Sequence, residues 1–144
     1  MSTLERAIEI AVQAHTNQVD KGNQPYILHP LRVMLAVHTN RERMAAVLHD
    51  VIEDTPISVD DLVLEGFPEE VIDAVRALTK LEGESRMDAA KRVIQNPIAM
   101  TVKIEDVKDN INLGRIPNPT EADFARRGEY EEVLRFLVNY KDCQ

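Results

Sequence analysis

The order of apolar and polar residues along this chain follows the spacing of amphipathic helices. Leu4, Ala7, Ile8, Ala11 and Val12 form the first stripe, behind a serine and a threonine that can cap a helix. Similar stripes begin near residues 30, 44, 58, 68, 87, 98 and 124. No stretch of useful length alternates with the period of two that marks a strand. The sequence therefore predicts an all-α protein, a compact bundle of about seven or eight helices.

Residues that start or stop helices separate these stripes. Pro30 suits the first position of a helix, Gly66 suits the end of one, and Pro97 interrupts the pattern before the next helix begins. Residues 16–24 have the composition of a turn. Because no linker or repeat divides the chain, we predict a single domain over residues 1–144, a length that can build a sizeable core.

The stretch from residue 44 to residue 56 is predicted to be one apolar helix that carries four ionisable side chains. His49 and Glu53 lie one turn apart on such a helix, and so do Asp50 and Asp54. His49 and Asp50 would then flank one edge, where both could reach the same ion. Burying such groups is costly unless a cation or counter-charge compensates. A metal site is one interpretation, and a satisfied core histidine beside a solvated helix end is the other.

The other histidines and acids add candidates without deciding between these interpretations. His29 precedes Pro30 at a predicted helix start, a rigid place for a metal-binding imidazole, although a histidine there more often serves as a cap. In the predicted helix that starts near residue 98, Lys103, Asp106 and Asn110 share an edge beside the apolar stripe. Cys143 is the single cysteine, so any metal would be held by His, Asp or Glu, a set that suits manganese, iron or zinc.

The charge of the chain narrows the classes of partner. A formal net charge of −8 with a pI near 5.0 disfavours nucleic acid, since no basic stripe is present, but a small phosphorylated substrate needs only a local cation. No apolar run approaches the length of a membrane span, and no secretion signal precedes the first stripe. We therefore predict a cytoplasmic protein with no membrane partner. A homo-oligomer is possible, but nothing in the sequence supports one.

Three ordered stretches of the chain resemble the signatures of the hydrolase domain of the RelA/SpoT alarmone enzymes, which belong to the HD superfamily. Residues 15–31 resemble the first signature, residues 45–55 look like the HD and ED boxes, and residues 102–110 look like the third box. The similarity runs roughly from Ala7 to Leu137 and includes the Thr79-Lys80 pair. The resemblance implies a small stand-alone metal-dependent phosphohydrolase with the helical HD-domain fold.

The resemblance also implies roles for individual residues. It makes four side chains the ligands of one divalent metal, usually Mn²⁺ in this family, with Fe²⁺ or Zn²⁺ as alternatives: His29, His49, Asp50 and Asp106. Metal-bound water would attack the 3′ diphosphate of guanosine 3′,5′-bis(diphosphate), or ppGpp. Glu53 would act as general acid and base, and Asp54 would orient the water or the leaving group. The family uses the residue at the position of Asn110 near the ribose and phosphates of the nucleotide, and Lys21, which follows Asp20, is a further candidate contact with the substrate.

Two positions depart from the family pattern and keep other functions open. Asp20 stands where the family has an arginine that stacks on guanine, and Glu105 stands where a small residue is usual. A carboxylate cannot make the planar cation–π contact of a guanidinium. Three functions therefore remain open. The first, which the resemblance implies, is a ppGpp 3′-pyrophosphohydrolase. The second is an HD phosphohydrolase for another nucleotide or phosphorylated metabolite, and the third is a non-catalytic nucleotide-binding module.

Overall fold

The computed structural model describes residues 2–143; the two ends of the predicted domain, Met1 and Gln144, lie outside the described residues. Between them are nine α-helices: α1 (Leu4–Ala14), α2 (Leu28–Ala36), α3 (Asn40–Leu48), α4 (Val51–Asp54), α5 (Val59–Leu64), α6 (Glu69–Leu78), α7 (Arg86–Val93), α8 (Pro97–Ile111) and α9 (Glu121–Asp142). Residues 2–143 form no strand, and their single β-bridge joins Val19 to Pro25. The predicted all-α fold is confirmed.

Side-chain caps set most helix starts. The side chains of Thr39, Ser58 and Thr120 each accept a hydrogen bond from the backbone N–H of the third residue of the helix that follows. The acidic side chain of that third residue accepts a hydrogen bond from the backbone N–H of the cap. This capping box satisfies backbone donors that have no partner inside the helix. Gly66 follows α5 with a φ of 85°, the left-handed conformation that glycine adopts without strain, as the sequence predicts.

Helix α3 lies at the centre of the bundle and packs against α1, α2, α6 and α8. Residues 45–48, which carry no polar side chain, are completely buried, as expected for a helix surrounded by others. Helices α8 and α9 pack along each other and add Val107, Val133 and Leu137 to the core. Within the described part of the chain, no helix combines the length and the hydropathy needed to cross a bilayer.

The prediction of one continuous helix from residue 44 to residue 56 is wrong. Helix α3 ends at Leu48 and α4 begins at Val51, so that His49 and Asp50 form a turn between them. The carbonyl oxygen of Ala46 accepts hydrogen bonds from the backbone N–H of His49, at 3.3 Å, and from its imidazole Nδ1, at 2.5 Å. This bond from side chain to backbone competes with the helical pattern. Hydrophobic spacing carries no sign of such competition.

Two predicted helix starts also shift. Helix α2 begins at Leu28, so Pro30 is its third residue, still within the first turn, where the missing N–H of proline has no helical acceptor to lose. Helix α9 begins at Glu121, three residues before the predicted start at Phe124, because the Thr120 capping box fixes its first turn. Neither shift moves a candidate site residue to another element.

Candidate active site

Four predicted ligands meet at the floor of a cavity of about 640 Å³. The Nε2 atoms of His29 and His49 lie 2.9 and 3.2 Å from Oδ1 of Asp106. Oδ2 of Asp50 lies 3.0 Å from Nε2 of His49 and 3.6 Å from Nε2 of His29. His29, His49 and Asp50 offer ligand atoms that all lie within 4.8 Å of one another, a spacing that one metal ion can bridge.

Three mutually packed helices hold this cluster. His29 lies in the first turn of α2, His49 and Asp50 lie in the turn between α3 and α4, and Asp106 lies in the middle of α8. Helices α2, α3 and α8 contact one another in all three pairings. Two adjacent residues can therefore face the same point because the chain bends between α3 and α4, and rigid helices fix the other two ligands.

Each imidazole presents Nε2 to the cluster because its Nδ1 has another partner. Nδ1 of His29 lies 2.6 Å from Oδ2 of Asp109, and Nδ1 of His49 lies 2.5 Å from the carbonyl oxygen of Ala46. A carbonyl oxygen only accepts, so Nδ1 of His49 carries the hydrogen. Metal-binding histidines typically donate their second ring N–H to such an acceptor, which fixes the tautomer and the ring orientation.

The electrostatics of the cluster favour bound positive charge. Burial lowers the pKa of His49, but the charges of Asp50 and Asp106 outweigh burial and hold that pKa well above its usual value. Burial raises the pKa of Asp106, yet Lys103 and His49 hold it well below the usual range. These carboxylates thus stay ionised and draw protons onto the imidazoles. A divalent cation supplies the same charge and would displace those protons, so the donor set fits a metal.

Three further side chains contact the carboxylates. The hydroxyl of Tyr26 donates to Oδ2 of Asp50. Nζ of Lys103 lies 3.1 Å from Oδ2 of Asp106, and the Asn110 amide donates to Oδ1 of Asp106 at 3.2 Å. Burial and the nearby Asp50 charge raise the pKa of Tyr26, so its hydroxyl keeps its proton. Residues one turn before and one turn after Asp106 on α8 therefore orient its two carboxylate oxygens.

Glu53 and Asp54 line the open part of the same cavity. A carboxylate oxygen of Glu53 accepts a hydrogen bond from the backbone N–H of Lys80. The protein around Glu53 displaces water and raises the pKa of its carboxyl, and the same effect, reinforced by Asp50, raises that of Asp54. A carboxylate with a raised pKa that solvent can reach is suited to accept a proton.

Basic residues are concentrated around this cavity although the chain is acidic. Of the 17 lysines and arginines in the sequence, eight line it: Lys21, Arg32, Lys80, Arg86, Lys103, Arg115, Arg126 and Arg127. They come from separate segments of the chain, including the α1–α2 loop, the α6–α7 connection and α9. Although the chain has a net charge of −8, these eight residues form a local cationic wall of the kind that a phosphorylated ligand needs.

Asp20 has a structural partner inside its own loop. Its Oδ1 accepts hydrogen bonds from the backbone N–H groups of Gly22, at 2.8 Å, and Gln24, at 3.0 Å. Lys21, between Asp20 and Gly22 in the chain, is exposed and lines the cavity. Gly22 packs so closely on the carbonyl oxygen of Arg115 that a Cβ atom would collide with it. Asp20, at the position where the family has arginine, therefore stabilises the conformation of its own loop.

The sequence pattern did not reveal the residues behind the ligands. Asp109, Tyr26 and the Ala46 carbonyl each contact one of the predicted ligands, yet the sequence pattern indicates no role for any of them. Asp109 follows Asp106 by three positions on α8, and that spacing was the one available signal. Tyr26 carried none, because its contact with Asp50 joins a loop to a distant turn.

Comparison with known proteins supports the motif-based resemblance. The family model described as HD domain matches residues 7–108 of this chain. A probable GTP pyrophosphokinase of Mycobacterium leprae is 31% identical over 152 residues, covering 96% of this chain and 19% of that protein. A guanosine-3′,5′-bis(diphosphate) 3′-pyrophosphohydrolase of Aquifex aeolicus is 31% identical over 120 residues, covering 75% of this chain and 17% of that protein. The chain thus spans about a fifth or less of these relatives.

A solved structure extends the likeness to three dimensions. It is described as a metazoan ortholog of SpoT that hydrolyses ppGpp, and it superposes with a TM-score of 0.76 at 25% sequence identity. The match covers 96% of this chain and 85% of that one. The helical bundle, the cluster at α2, α3 and α8, and a family model that spans most of the sequence lead to one conclusion: this chain belongs to the HD domain family.

Proposed function

We propose that this chain is a metal-dependent phosphohydrolase that removes the 3′ diphosphate of guanosine 3′,5′-bis(diphosphate). The observation that carries the proposal is the convergence of His29, His49, Asp50 and Asp106 at the floor of a cation-lined cavity. The relatives named for guanosine-3′,5′-bis(diphosphate) 3′-pyrophosphohydrolase activity supply the substrate. Because the matches cover only part of those relatives, both the activity and the substrate are proposals for this chain.

The four ligands would hold one divalent cation, with Mn²⁺ proposed first and Fe²⁺ or Zn²⁺ as alternatives. When bound, such a cation lowers the pKa of water and polarises a phosphoryl group. Two imidazoles and two carboxylates leave room for exogenous ligands, as a catalytic site needs. Tyr26 and Lys103, which contact Asp50 and Asp106, would keep these carboxylates oriented toward the cation.

The neighbouring residues would handle protons and substrate. Glu53 would take the proton from the attacking water and return it to the leaving oxygen, and Asp54 would orient the water or the leaving group. Their raised pKa values bring these carboxyls closer to neutral pH, which favours proton transfer in both directions. Asn110 and Lys21 would contact the ribose and phosphates, Asn110 from beside Asp106 and Lys21 from the opposite loop.

The cationic wall suits a substrate with two diphosphate groups. One group would reach the metal ligands while the other remains near the cavity mouth. Lys21 and Lys80 are the two lining cations with no ion-pair partner among residues 2–143, so they are available for phosphate oxygens. We further propose that residues 1–144 act as one domain in the cytoplasm, on a small nucleotide and not on nucleic acid, in keeping with the acidic surface.

A second candidate keeps the metal chemistry and changes the nucleotide or takes another phosphorylated metabolite. It is favoured by Asp20, whose carboxylate is bound to its own loop where the family has a guanine-stacking arginine. The base would then have no planar cation at that position. A hydrolase with weak selectivity for the base is the expected consequence.

One experiment separates these functions. The purified chain is stripped of metal, resupplied with Mn²⁺ and incubated with guanosine 3′,5′-bis(diphosphate), its adenosine counterpart and guanosine 5′-diphosphate. Products are separated to distinguish pyrophosphate from orthophosphate. Release of pyrophosphate from the first substrate supports the proposal, and equal release from the adenosine counterpart supports the second candidate. Binding of a nucleotide without release of either product would support the third function, a non-catalytic nucleotide-binding module.

A further inference from the structure

Asp109 lies behind the metal ligand His29, outside the set of residues that line the cavity. Its Oδ2 is 2.6 Å from Nδ1 of His29, the ring nitrogen opposite the one that faces Asp50 and Asp106. Its side chain is only 13% exposed. The family resemblance implies no role for Asp109. Because Asp109 is not part of the cavity lining, it would influence a ligand in the cavity through its contact with His29.

The Asp109 carboxylate is itself held by two arginines. Arg32, one turn after His29 on α2, donates from Nε to Oδ1 at 2.8 Å and from Nη2 to Oδ2 at 3.0 Å. Arg115 donates to the backbone oxygen of Asp109 at 3.1 Å and approaches Oδ2 at 3.5 Å. A two-pronged arginine–carboxylate pair fixes the plane of the carboxylate as well as its position. Asp109 is therefore a preformed acceptor for the His29 ring.

The two imidazoles of the cluster have unequal support. His49 donates from Nδ1 to the neutral carbonyl of Ala46, within its own turn. His29 instead faces a charged carboxylate from another helix. A carboxylate acceptor orients the ring and raises the basicity of the nitrogen at the other end. His29 should consequently be the stronger nitrogen donor of the two.

We infer that Asp109 is a positioning residue that tightens divalent-metal binding by orienting His29 and strengthening its Nε2 as a ligand. The inference rests on the metal centre of the proposed function. It goes beyond that function by assigning metal affinity to a residue that contacts neither metal nor substrate. Loss of such an outer partner typically weakens metal binding about 10–100-fold.

The decisive variant is Asp109→Asn, which keeps the size of the side chain and removes its charge. Mn²⁺ affinity is measured by isothermal titration calorimetry on the metal-free protein, without any assay of turnover. The matched control is Glu84→Gln, because Glu84 accepts the same two-pronged pair of bonds from Arg92 but lies outside the cavity. We expect Asp109→Asn to bind Mn²⁺ about 10–100-fold more weakly than wild type and Glu84→Gln to match wild type.

Nitrogen-15 spectra of the histidine rings, recorded on the metal-free protein at a pH high enough for the imidazoles to be neutral, provide a readout that a purely structural role would not change. Wild type should show His29 protonated at Nδ1, and Asp109→Ala should show a mixture of tautomers while His49 is unaffected. If Asp109→Asn does not fold, Arg32→Gln replaces it: that variant frees the Asp109 carboxylate and should weaken Mn²⁺ binding by a smaller factor.

The outcomes separate this inference from the proposed function. Wild-type affinity in the folded Asp109→Asn variant, or in Arg32→Gln where that variant is used, would overturn the inference and leave the metal centre intact. An equal loss in Glu84→Gln would also overturn it, because the effect would then be general. A wild-type protein that binds no Mn²⁺, Fe²⁺ or Zn²⁺ at all would instead overturn the metal centre, and this inference with it.

Discussion

The Nε2 atoms of His29 and His49 converge on a single oxygen, Oδ1 of Asp106, at 2.9 and 3.2 Å. Their rings meet edge to face, with centroids 5.2 Å apart. Burying a carboxylate between two imidazole nitrogens costs free energy unless positive charge, from protons or from a metal ion, compensates the carboxylate. Because the four side chains meet at one point, we expect that replacing any one of them would weaken metal binding by the whole cluster.

His49→Ala and Asp106→Ala should each release the metal. Either change removes one of the four proposed ligands, and Asp106→Ala also leaves the Lys103 ammonium without its carboxylate at 3.1 Å. Metal content after dialysis, measured by plasma mass spectrometry, tests this directly. His38→Ala is the control, since His38 is exposed and lies outside the cavity. Full occupancy in both ligand variants would remove the assignment.

Glu53→Gln should keep the metal and lose turnover. The amide preserves size and can still accept the hydrogen bond from Lys80, but it cannot take a proton. Loss of a general acid and base usually costs about 10²–10⁴-fold in rate. Steady-state rates are compared at equal metal occupancy, so that a change in binding is not mistaken for a change in chemistry. Turnover at the wild-type rate would exclude the role of Glu53.

Asp20→Ala should raise KM with little change in kcat. Asp20 accepts two backbone hydrogen bonds that hold the loop carrying Lys21, and each such bond contributes on the order of 1 kcal/mol. Asp20→Asn is the matched control, because its amide oxygen can accept the same bonds. An Asp20→Asn variant as impaired as Asp20→Ala would mean that the negative charge matters and not the loop.

If the proposed activity holds, the wild-type protein should discriminate weakly between guanine and adenine. The family's guanine-stacking arginine is absent at position 20, and the structure turns that side chain into the loop. The test compares kcat/KM for guanosine and adenosine 3′,5′-bis(diphosphates). A preference for guanine of a hundredfold, equivalent to nearly 3 kcal/mol, would show that another part of the cavity recognises the base.

The Glu84–Arg92 pair should make stability depend on pH in the acid range. Hydrogen bonds from Arg92 lower the pKa of Glu84 from 4.5 to about 2. A carboxyl with a lowered pKa in the folded state stabilises the protein fully above its unfolded pKa, and this contribution is lost as pH falls toward the folded pKa. The difference in unfolding free energy between wild type and Glu84→Gln should therefore shrink from pH 4.5 to about 2. A constant difference would contradict this.

How far the sequence could predict this molecule depends on the range of the interactions. The threonine cap before α1, at Thr3, and the stop at Gly66 depend on local interactions, and the sequence predicts both. The bend between α3 and α4 is local too, but it comes from the His49 side chain competing for the Ala46 carbonyl, which hydrophobic spacing does not register. The structure brings the four predicted ligands together, as ordered motifs in a known family can imply.

Contacts between distant segments were out of reach. Asp109 meets His29 from 80 residues away, and Tyr26 meets Asp50 across 24. Neither pairing leaves a periodic trace in a single sequence. From the sequence alone, Asp20 indicates only the absence of the stacking cation, because its hydrogen bonds with Gly22 and Gln24 depend on a loop conformation that composition does not fix.

His29 and Asp106 are 77 positions apart along the chain yet would share one ion. In the unfolded chain, such an ion would close a very long loop, and bringing two distant points together is costly in entropy. A cation bound only by the folded form therefore acts like a reversible crosslink between the two halves of the sequence, and its binding free energy adds to that of folding. If the proposed cation binds in this way, growth conditions that starve a cell of it should lower the abundance of the folded protein as well as the proposed activity.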